Sequence, residues 1–203
     1  MLLTFEQLRK AMPFCPASRC MEFLQPLNAA MERFEINTPK RISMFLATLA
    51  HESGSFRYME EIADGAAYED RSDLGNDSAD AKAWAPDGKA GPWFKGHGPI
   101  QTTGYWNHRA AGEKLYGEPE KFLENPLLLT QPLDGCLAAA LFWKENGCNE
   151  VADEGNFLGT QQIVNMGRGR LGVARVPNGW KDRLEQYQRA VAAFDTGEGP
   201  TYA

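Results

Sequence analysis

The sequence predicts a mainly α-helical protein, and three observations support this. Apolar residues recur at helical spacing in several separate stretches, as at Ile42, Phe45, Leu46 and Leu49. Prolines and turn residues separate these stretches, and no two neighbouring runs alternate as paired strands do. With 203 residues, 43% of them hydrophobic, the chain can build one full-sized core. We therefore expect about seven or more helices in a single domain over residues 1–203.

Charge and cysteine content narrow the classes of function. The formal net charge of −6 argues against a nucleic-acid partner, because such proteins carry a basic patch. No apolar run approaches the roughly 18 residues of a membrane span, and the N-terminus lacks the regions of a signal peptide. The four cysteines show no CxxC spacing, so reduced thiols are expected. We expect a monomer without a cofactor.

The expected helices follow one another along the chain. Thr4 and Gln7 have the spacing of a capping box and open a short first helix. Residues 19–35 form the second helix, and Pro39 fits the first position of a third, which ends with Glu52. Further helices are expected at 104–117, 132–146, 157–166 and from Asn178 onward, before a tail marked by Gly197 and Pro200.

Residues 64–98 break the helical periodicity. This stretch is rich in Gly, Asp and Ala and ends in a cluster of aromatic residues, Trp84, Trp93 and Phe94. Long irregular segments in compact domains are usually either functional or disordered, and aromatic residues argue against disorder. We expect the stretch to form one wall of a substrate cleft, with a small hairpin inside it as one option.

Two glutamates after the third helix suit acid–base chemistry. Glu52 stands at the C-terminal end of that helix, where the helix dipole disfavours a carboxylate, so it is either a solvated charge or a functional group. Gly54 then interrupts the helix, and Glu61 follows nine residues after Glu52. A continuous helix would separate their Cα atoms by roughly 13 Å. A reversal at Gly54 would bring the carboxyl groups into the roughly 6.5–9.5 Å range of inverting glycosidases.

The environments of the two glutamates predict different roles. Glu52 arrives on a buried helix, so desolvation should raise its pKa and make it the acid, whereas Glu61 in a polar segment should be the base. Glu60 is the rival base, but adjacent side chains diverge and only one of them should face the cleft. We interpret Glu69, with its neighbours Arg71 and Asp73, as structural, because ion-pair networks imitate sites.

Histidine and tryptophan residues supply further candidates. His51, His97 and His108 do not have the HExxH spacing, so no metal is assigned. Trp84 and Trp93 could stack on sugar faces or fill the core, and the sequence favours neither. His51 and Trp93 are counted among the candidate substrate-binding residues.

Six short motifs occur in one order along the chain, at residues 50–54, 68–76, 96–104, 140–144, 163–167 and 182–184. They resemble, in the same order, motifs of glycoside hydrolase family 19, the chitinases and the related bacteriophage endolysins. The strongest is Gly-His-Gly-Pro-Ile-Gln-Thr-Thr at 96–103, against the family pattern Gly-Arg-Gly-(Pro/Leu)-Ile-Gln-x-(Ser/Thr). The motif at 163–167 matches only partly. The resemblance covers nearly the whole chain and implies a lysozyme-like fold with helices around a substrate cleft.

The resemblance also implies residue roles. Glu52 falls on the general acid, Glu61 on the general base, and Thr103 on the hydroxyl residue that holds the attacking water. Two positions, Gln101 and Asn165, fall on substrate-binding residues. A further candidate, Arg183, falls on an arginine near the acid.

The chain departs from the family pattern in three residues and one insertion. His97 replaces the usual Arg, Phe94 a usual Tyr and Met166 a Gly. An insertion over residues 168–180 precedes Asp182. These changes leave the acid and the base in place and affect the substrate subsites.

The expected function is that of a phage endolysin, since the chain is compact, shows no signal peptide and has HESG followed by Glu60 and Glu61. It would hydrolyse the β-1,4 bond between N-acetylmuramic acid and N-acetylglucosamine of peptidoglycan strands, with inversion, for host lysis. It would stay in the host cytoplasm until released to the wall, and would need no wall-binding domain. The basic residues Arg168, Arg170 and Arg175 would help the domain to find peptidoglycan, by a local positive charge on a protein whose net charge is −6. The alternatives are a chitinase, a lytic transglycosylase-like enzyme with one essential acid, or an inactive saccharide-binding protein.

Overall fold

The computed structural model describes residues 2–194, and the chain is mainly helical, as predicted. The tail expected at Gly197 and Pro200 lies outside these residues. Among the described helices, none combines the length and the apolar character needed to span a membrane. The described residues form α1 (Phe5–Ala11), α2 (Ala17–Arg33), α3 (Pro39–Glu52), α4 (Ala79–Trp84), α5 (Ala90–Trp93), α6 (Tyr105–Tyr116), α7 (Lys121–Glu124), α8 (Pro132–Glu145), α9 (Cys148–Asp153), α10 (Phe157–Met166) and α11 (Trp180–Phe194).

The chain divides into two compact units. Residues up to Phe56, together with those from Ala140 onward, form the first unit, and Arg57–Ala139 form the second. The second unit is thus a continuous insertion in the sequence of the first. The assignment of residues 1–203 to one catalytic domain stays a prediction.

Helix α3 is the centre of the first unit. Its residues 42–50 are all buried, and it packs against α1, α9, α10 and α11. Thr38 caps its N-terminus by accepting a hydrogen bond from the Arg41 N–H at 3.3 Å, and Pro39 takes the first helical position. The buried hydroxyl of Thr48 is satisfied by donating to the Met44 carbonyl at 2.8 Å. This helix delivers Glu52 from the core to its C-terminal end.

A left-handed turn follows α3, at the interruption that the sequence predicts. Gly54, Ser55 and Phe56 have φ angles of 57°, 61° and 62°, a region that costs residues other than glycine free energy. The Ser53 hydroxyl accepts a hydrogen bond from the Phe56 N–H at 2.8 Å. The buried ring of Phe56 stacks on Phe23 with centroids 4.3 Å apart. Packing and a side-chain hydrogen bond therefore hold a strained turn directly after Glu52.

The segment that looks irregular in the sequence is built from short pieces. Residues 64–98 contain the short helices α4 and α5 and two 3₁₀ turns, Ala66–Tyr68 and Ser72–Leu74. Within these residues there is no hairpin; His97 instead forms isolated antiparallel bridges with Glu60 and Thr102. The segment packs on a buried cluster formed by Ala81, Ala90, Phe94, Tyr105 and Leu123, against which Trp84 and Trp93 also lie.

All four cysteines, Cys15, Cys20, Cys136 and Cys148, are buried and unpaired. Burial raises the pKa of Cys148 to about 12, and burial raises that of Cys136 as well. For Cys15, burial first and its contact with Cys20 second raise the pKa to about 12. The thiols of Cys15, Cys136 and Cys148 stay protonated near neutral pH, so they are poor nucleophiles.

Candidate active site

Glu52, the last residue of α3, contacts a buried arginine of α11. Arg183 is 1% exposed, and its Nη2 lies 2.6 Å from Glu52 Oε1, which makes an ion pair. The geometry is not that of a hydrogen bond, and Oε1 is a buried oxygen without a hydrogen-bond partner among the described residues. The Glu52 side chain as a whole is 20% exposed. The carboxyl group therefore has one oxygen against the arginine, while another part of the side chain reaches the surface.

Arg183 has two further partners in the first unit. Its Nε donates to the Asn178 carbonyl at 2.9 Å, and its Nη1 donates to Gln161 Oε1 at 2.8 Å. Gln161 Nε2 in turn donates to Thr48 Oγ1 on α3 at 2.8 Å. A guanidinium does not lose its proton in a protein, so a buried one needs acceptors in several directions. The network supplies them and ties α3, α10 and α11 together beside Glu52.

His51 forms a second pair next to the first. Its Nδ1 lies 2.6 Å from Asp182 Oδ2, so His51 and Glu52 contact the consecutive residues Asp182 and Arg183. A Cβ on Gly179 would lie 2.5 Å from His51 Cε1, so the imidazole packs where only glycine leaves room. The structure thus gives His51 a positioning contact at the end of α3. Its substrate-binding role stays a prediction.

In the second unit Glu61 accepts hydrogen bonds on both carboxylate oxygens. The Tyr68 hydroxyl donates to Oε1 and the Gly96 N–H donates to Oε2, both at 3.0 Å. Burial first, and the contact with Glu61 second, raise the pKa of Tyr68, so its hydroxyl keeps the proton that it donates. The Glu61 N–H also donates to the Gly96 carbonyl at 2.8 Å. These contacts fix the side chain and leave lone pairs on each oxygen.

The rival base Glu60 has a different environment. Its Oε1 lies 2.7 Å from Lys95 Nζ, and its side chain is 45% exposed. The adjacent glutamates therefore diverge, as expected, and among the described residues Glu60 pairs with a cation whereas Glu61 does not. The pairing favours Glu61 over Glu60 as a base that keeps a free lone pair for water.

The segment with Gln101 and Thr103 lies close to Glu61 through Gly96. A Cβ on Gly96 would lie 2.6 Å from Gln101 Oε1 and 3.2 Å from Glu61 Oε2. Gln101 itself has a φ of 58°, an arrangement that costs on the order of 1–3 kcal/mol outside glycine. Its Nε2 donates to the Gly98 carbonyl at 2.9 Å, and its carbonyl accepts from the Thr103 hydroxyl at 2.9 Å. The structure brings Gln101 to Glu61 and leaves the Thr103 oxygen able to accept a hydrogen bond.

Two other predicted site residues make structural contacts. The Asn165 side-chain oxygen accepts from the Asn178 N–H at 3.0 Å. The Trp93 Nε1 donates to the Leu123 carbonyl at 2.9 Å, and its half-buried ring packs on the apolar cluster of the second unit. Their substrate-binding roles stay predictions.

Sequence reasoning missed Tyr68, Gln161 and Gln162 as residues of consequence. Tyr68 is the first residue of the motif at 68–76, but the motif alone assigns it no function. The signal for the glutamines is that two consecutive amides interrupt an apolar helical stretch, where a buried amide must find partners. Trp106 was also missed: it is 50% exposed and lies on Gly75, where a Cβ would be 2.2 Å from the indole Nε1.

A buried histidine pair stands where the family resemblance expects an arginine. His108 Nδ1 lies 2.8 Å from the Gly104 carbonyl, so it donates there and its Nε2 accepts from His97 Nδ1 at 3.1 Å. Burial lowers the pKa of His97 to about 4 and that of His108 to about 3. Both rings are therefore neutral near pH 7. Across the described residues, no group of three or more His, Cys, Asp or Glu side chains could hold a metal ion.

The backbone is similar to those of solved family 19 chitinases. A bacterial family 19 chitinase gives a TM-score of 0.71 at 19% identity, covering 98% of this chain and 97% of that chain. Chitinase C from Streptomyces griseus gives a TM-score of 0.66 at 19% identity, covering 97% of this chain and 77% of that chain. The fold is that of the family 19 chitinases. A class IV family 19 chitinase from Zea mays has the same fold, with a TM-score of 0.61 at 22% identity, covering 89% of this chain and 82% of that chain.

The family 19 chitinase fold is accompanied by sequence similarity over part of the chain. Two endochitinases of Arabidopsis thaliana are 35% and 33% identical over 129 residues. The aligned stretch is 63% of this chain but 40% of each relative's length. The chain matches no protein-family model. The lysozyme-like fold is thus confirmed, while membership of the phage endolysin branch stays a prediction.

We predict that Arg183→Lys lowers the free energy of unfolding by roughly 2–4 kcal/mol. The donors of a lysine all lie on one nitrogen, which cannot reproduce the separate contacts of Nε with Asn178 and of Nη1 with Gln161, and hydrogen bonds to charged groups are worth about 1.5–3 kcal/mol each. Urea unfolding followed by circular dichroism at pH 7 measures the change. The matched control is Arg189→Lys on the same helix, whose partner Glu185 lies 3.5 Å away with 45% of its side chain exposed. This control should stay within about 1 kcal/mol of wild type. Equal losses in the two variants would contradict the role given to Arg183.

The histidine pair predicts a pH dependence of stability. Between pH 6.5 and about 4 the unfolded chain takes up protons on His97 and His108, whereas the folded chain does not. The free energy of unfolding should therefore fall as the pH drops through this window, by about 1 kcal/mol per pH unit for each imidazole.

The variant His108→Gln separates this effect from other titrating groups. Its loss of stability at pH 8, where histidines are neutral in both states, measures the changed packing and hydrogen bonds without any contribution from titration. Below pH 6.5 its unfolding free energy should decline less steeply than that of the wild type, in urea unfolding curves collected at each pH. Parallel pH profiles for the two proteins would contradict the assignment of a neutral pair.

Proposed function

We propose that the protein is a glycoside hydrolase that cleaves β-1,4 bonds between N-acetylhexosamines with inversion, with Glu52 as general acid and Glu61 as general base. The observation that supports this most is the contrast between the two carboxylates. Glu52 lies beside a buried arginine, and its Oε1 has no hydrogen-bond partner in the part of the chain that the structure describes. The other accepts two fixed hydrogen bonds. Inverting hydrolysis requires two carboxyl groups in different environments.

The acid must place a proton on the leaving oxygen and then remain as a carboxylate. Glu52 suits the second requirement, because Arg183 lies 2.6 Å from Oε1 and stabilises the charge that appears when the proton leaves. The buried network behind Arg183 keeps the guanidinium in place during this change. Glu52 has to take up a proton from solvent before each turnover, and its partly exposed side chain allows that.

The base must remove a proton from water while the water attacks the anomeric carbon. Tyr68 and Gly96 orient the Glu61 carboxylate and leave it lone pairs for the water. The Thr103 hydroxyl donates its proton to the Gln101 carbonyl, so its oxygen can accept the water's second hydrogen. A water that donates to Glu61 and to Thr103 keeps a lone pair free for attack. This arrangement is the basis for assigning Thr103 a catalytic role.

Peptidoglycan is the proposed substrate, with cleavage on the reducing side of N-acetylmuramic acid, as in an endolysin that waits in the host cytoplasm until lysis. The support within this chain is its arginine-rich insertion, which suits an anionic glycan better than a neutral one. Chitin is the second candidate, because the relatives and structural neighbours bear the name chitinase. A lytic transglycosylase would need only Glu52, and loss of Glu61 would leave it active.

We predict that Glu52→Gln and Glu61→Gln each lower kcat by about 10²–10⁴-fold, the usual contribution of a general acid or base. Glu60→Gln is the matched control, since it removes a carboxylate next to Glu61 that is paired with Lys95, and it should stay within a few-fold of wild type. The assay is the release of reducing ends from purified peptidoglycan and from a soluble chitin oligomer, with circular dichroism to check folding.

Mass spectrometry of the products separates the candidates. New reducing N-acetylmuramic acid ends indicate the muramidase, and short N-acetylglucosamine oligomers indicate the chitinase. Anhydro-sugar ends together with an active Glu61→Gln variant indicate the transglycosylase. Turnover like that of the wild type in Glu52→Gln would contradict the hydrolase proposal altogether.

A further inference from the structure

Positive charge is concentrated between the end of α10 and the start of α11. Residues 155–181 contain Arg168, Arg170, Arg175 and Lys181 and no acidic residue. The other 17 basic and 27 acidic residues leave a net charge of −10 on the rest of the chain. A local cationic segment on an acidic protein suits a local anionic ligand rather than a general attraction to anionic surfaces.

A pocket lies within this segment. It has a volume of about 240 Å³ and is lined by Met166, Arg170, Val173 and Arg175. Both arginines are exposed, and neither forms an ion pair or a side-chain hydrogen bond with another described residue. Two arginines without a protein carboxylate, next to an apolar lining, can receive a carboxylate from a ligand in a bidentate contact.

The backbone around the pocket is fixed by a buried glutamine of α10. Gln162 is 1% exposed, and its Nε2 donates to the carbonyls of Val173 and Arg175 at 2.7 and 3.1 Å. Its Oε1 accepts from the Gly172 N–H at 2.9 Å. The pocket is therefore held in shape by the protein before a ligand arrives, which lowers the cost of binding.

The same segment is tied to the proposed acid. The Asn178 N–H donates to Asn165, and the Asn178 carbonyl accepts from Arg183, which contacts Glu52. The adjacent amides of α10 connect the two sites. Gln161 accepts a hydrogen bond from Arg183, and Gln162 accepts one from the pocket backbone at Gly172. The pocket thus belongs to the same unit, and to the same hydrogen-bonded framework, as the acid.

We propose that this pocket binds a carboxylate on the peptide branch of peptidoglycan and so selects that glycan over chitin; the inference rests on the hydrolase function proposed above. A volume of about 240 Å³ is below the roughly 300–1,000 Å³ of sites for a whole small molecule, so it suits a side branch rather than a sugar strand. The peptides on muramic acid carry carboxylates, whereas chitin is uncharged and unbranched.

The test measures binding by calorimetry in the Glu52→Gln protein, so that the probe is not consumed. The probes are a peptidoglycan tetrasaccharide with its peptide branches and the neutral N-acetylglucosamine tetramer. The double change Arg170→Gln with Arg175→Gln should raise the Kd for the branched probe roughly tenfold or more, as expected when charge-assisted hydrogen bonds are lost. The Kd for the neutral tetramer should change less than twofold.

The control variant is Arg109→Gln, which removes an exposed arginine that pairs with Glu113 in the second unit and should leave both Kd values unchanged. Urea unfolding should give the same stability for both variants. If the double variant at Arg170 and Arg175 bound the branched probe with the same Kd as the protein with both arginines, the proposal would be overturned. The same arginine dependence with a tetrasaccharide whose peptides have been removed by an amidase would also overturn it, since the carboxylate would then lie on the sugar.

The two proposals fail in different ways. A protein that binds the branched probe through the arginines but releases no reducing ends from any glycan contradicts the hydrolase function and retains the pocket. A hydrolase whose binding of the branched probe is independent of the arginines contradicts the pocket alone.

Discussion

The burial of Arg183 is the constraint on which the first unit depends. Its guanidinium is 1% exposed and stays charged, so the fold has to supply acceptors around it. Gln161 on α10 and the Asn178 backbone before α11 accept hydrogen bonds from it, and Glu52 at the end of α3 supplies the opposite charge in an ion pair. An uncompensated buried charge would cost several kcal/mol, so this set of contacts fixes the three helix positions together. The strained turn after α3 is held separately, by the stacking of Phe56 on Phe23 and by the hydrogen bond that the Ser53 hydroxyl accepts.

The second unit positions the carboxylates of Glu60 and Glu61 through contacts with Lys95 and Gly96. Gly96 has no side chain, so Glu61 and Gln101 can both approach its Cα, and its N–H fixes one carboxylate oxygen. Lys95, the cation next to it in sequence, pairs with Glu60. The buried histidine pair is neutral, so it adds no competing positive charge where the family pattern has an arginine. Each unit therefore holds one glutamate in a distinct electrostatic setting.

Periodicity predicted the long helices well, and α10 has the predicted bounds, 157–166. The short helices α4 and α5 were not predicted, because six and four residues are too few to show a helical period. In the site, the misplaced charge of Glu52 was visible in the sequence, and its partner Arg183 came from the family resemblance. The contacts of Tyr68 and Gln162 could not be predicted, since they depend on how the chain folds back on itself. The consecutive amides Gln161 and Gln162 signal that buried polar groups need partners, but the sequence does not show which partners they find.

The central claim is that Glu61 activates a water while Glu52 protonates the leaving group. Proton NMR of the first products from a soluble β-1,4 N-acetylglucosamine oligomer, recorded before mutarotation, tests it most directly. Attack by water on the face opposite the leaving group gives the α-anomer first, and this is the result that we expect. A β-anomer appearing first would require a nucleophilic or substrate-assisted route and would contradict the roles assigned to the two glutamates.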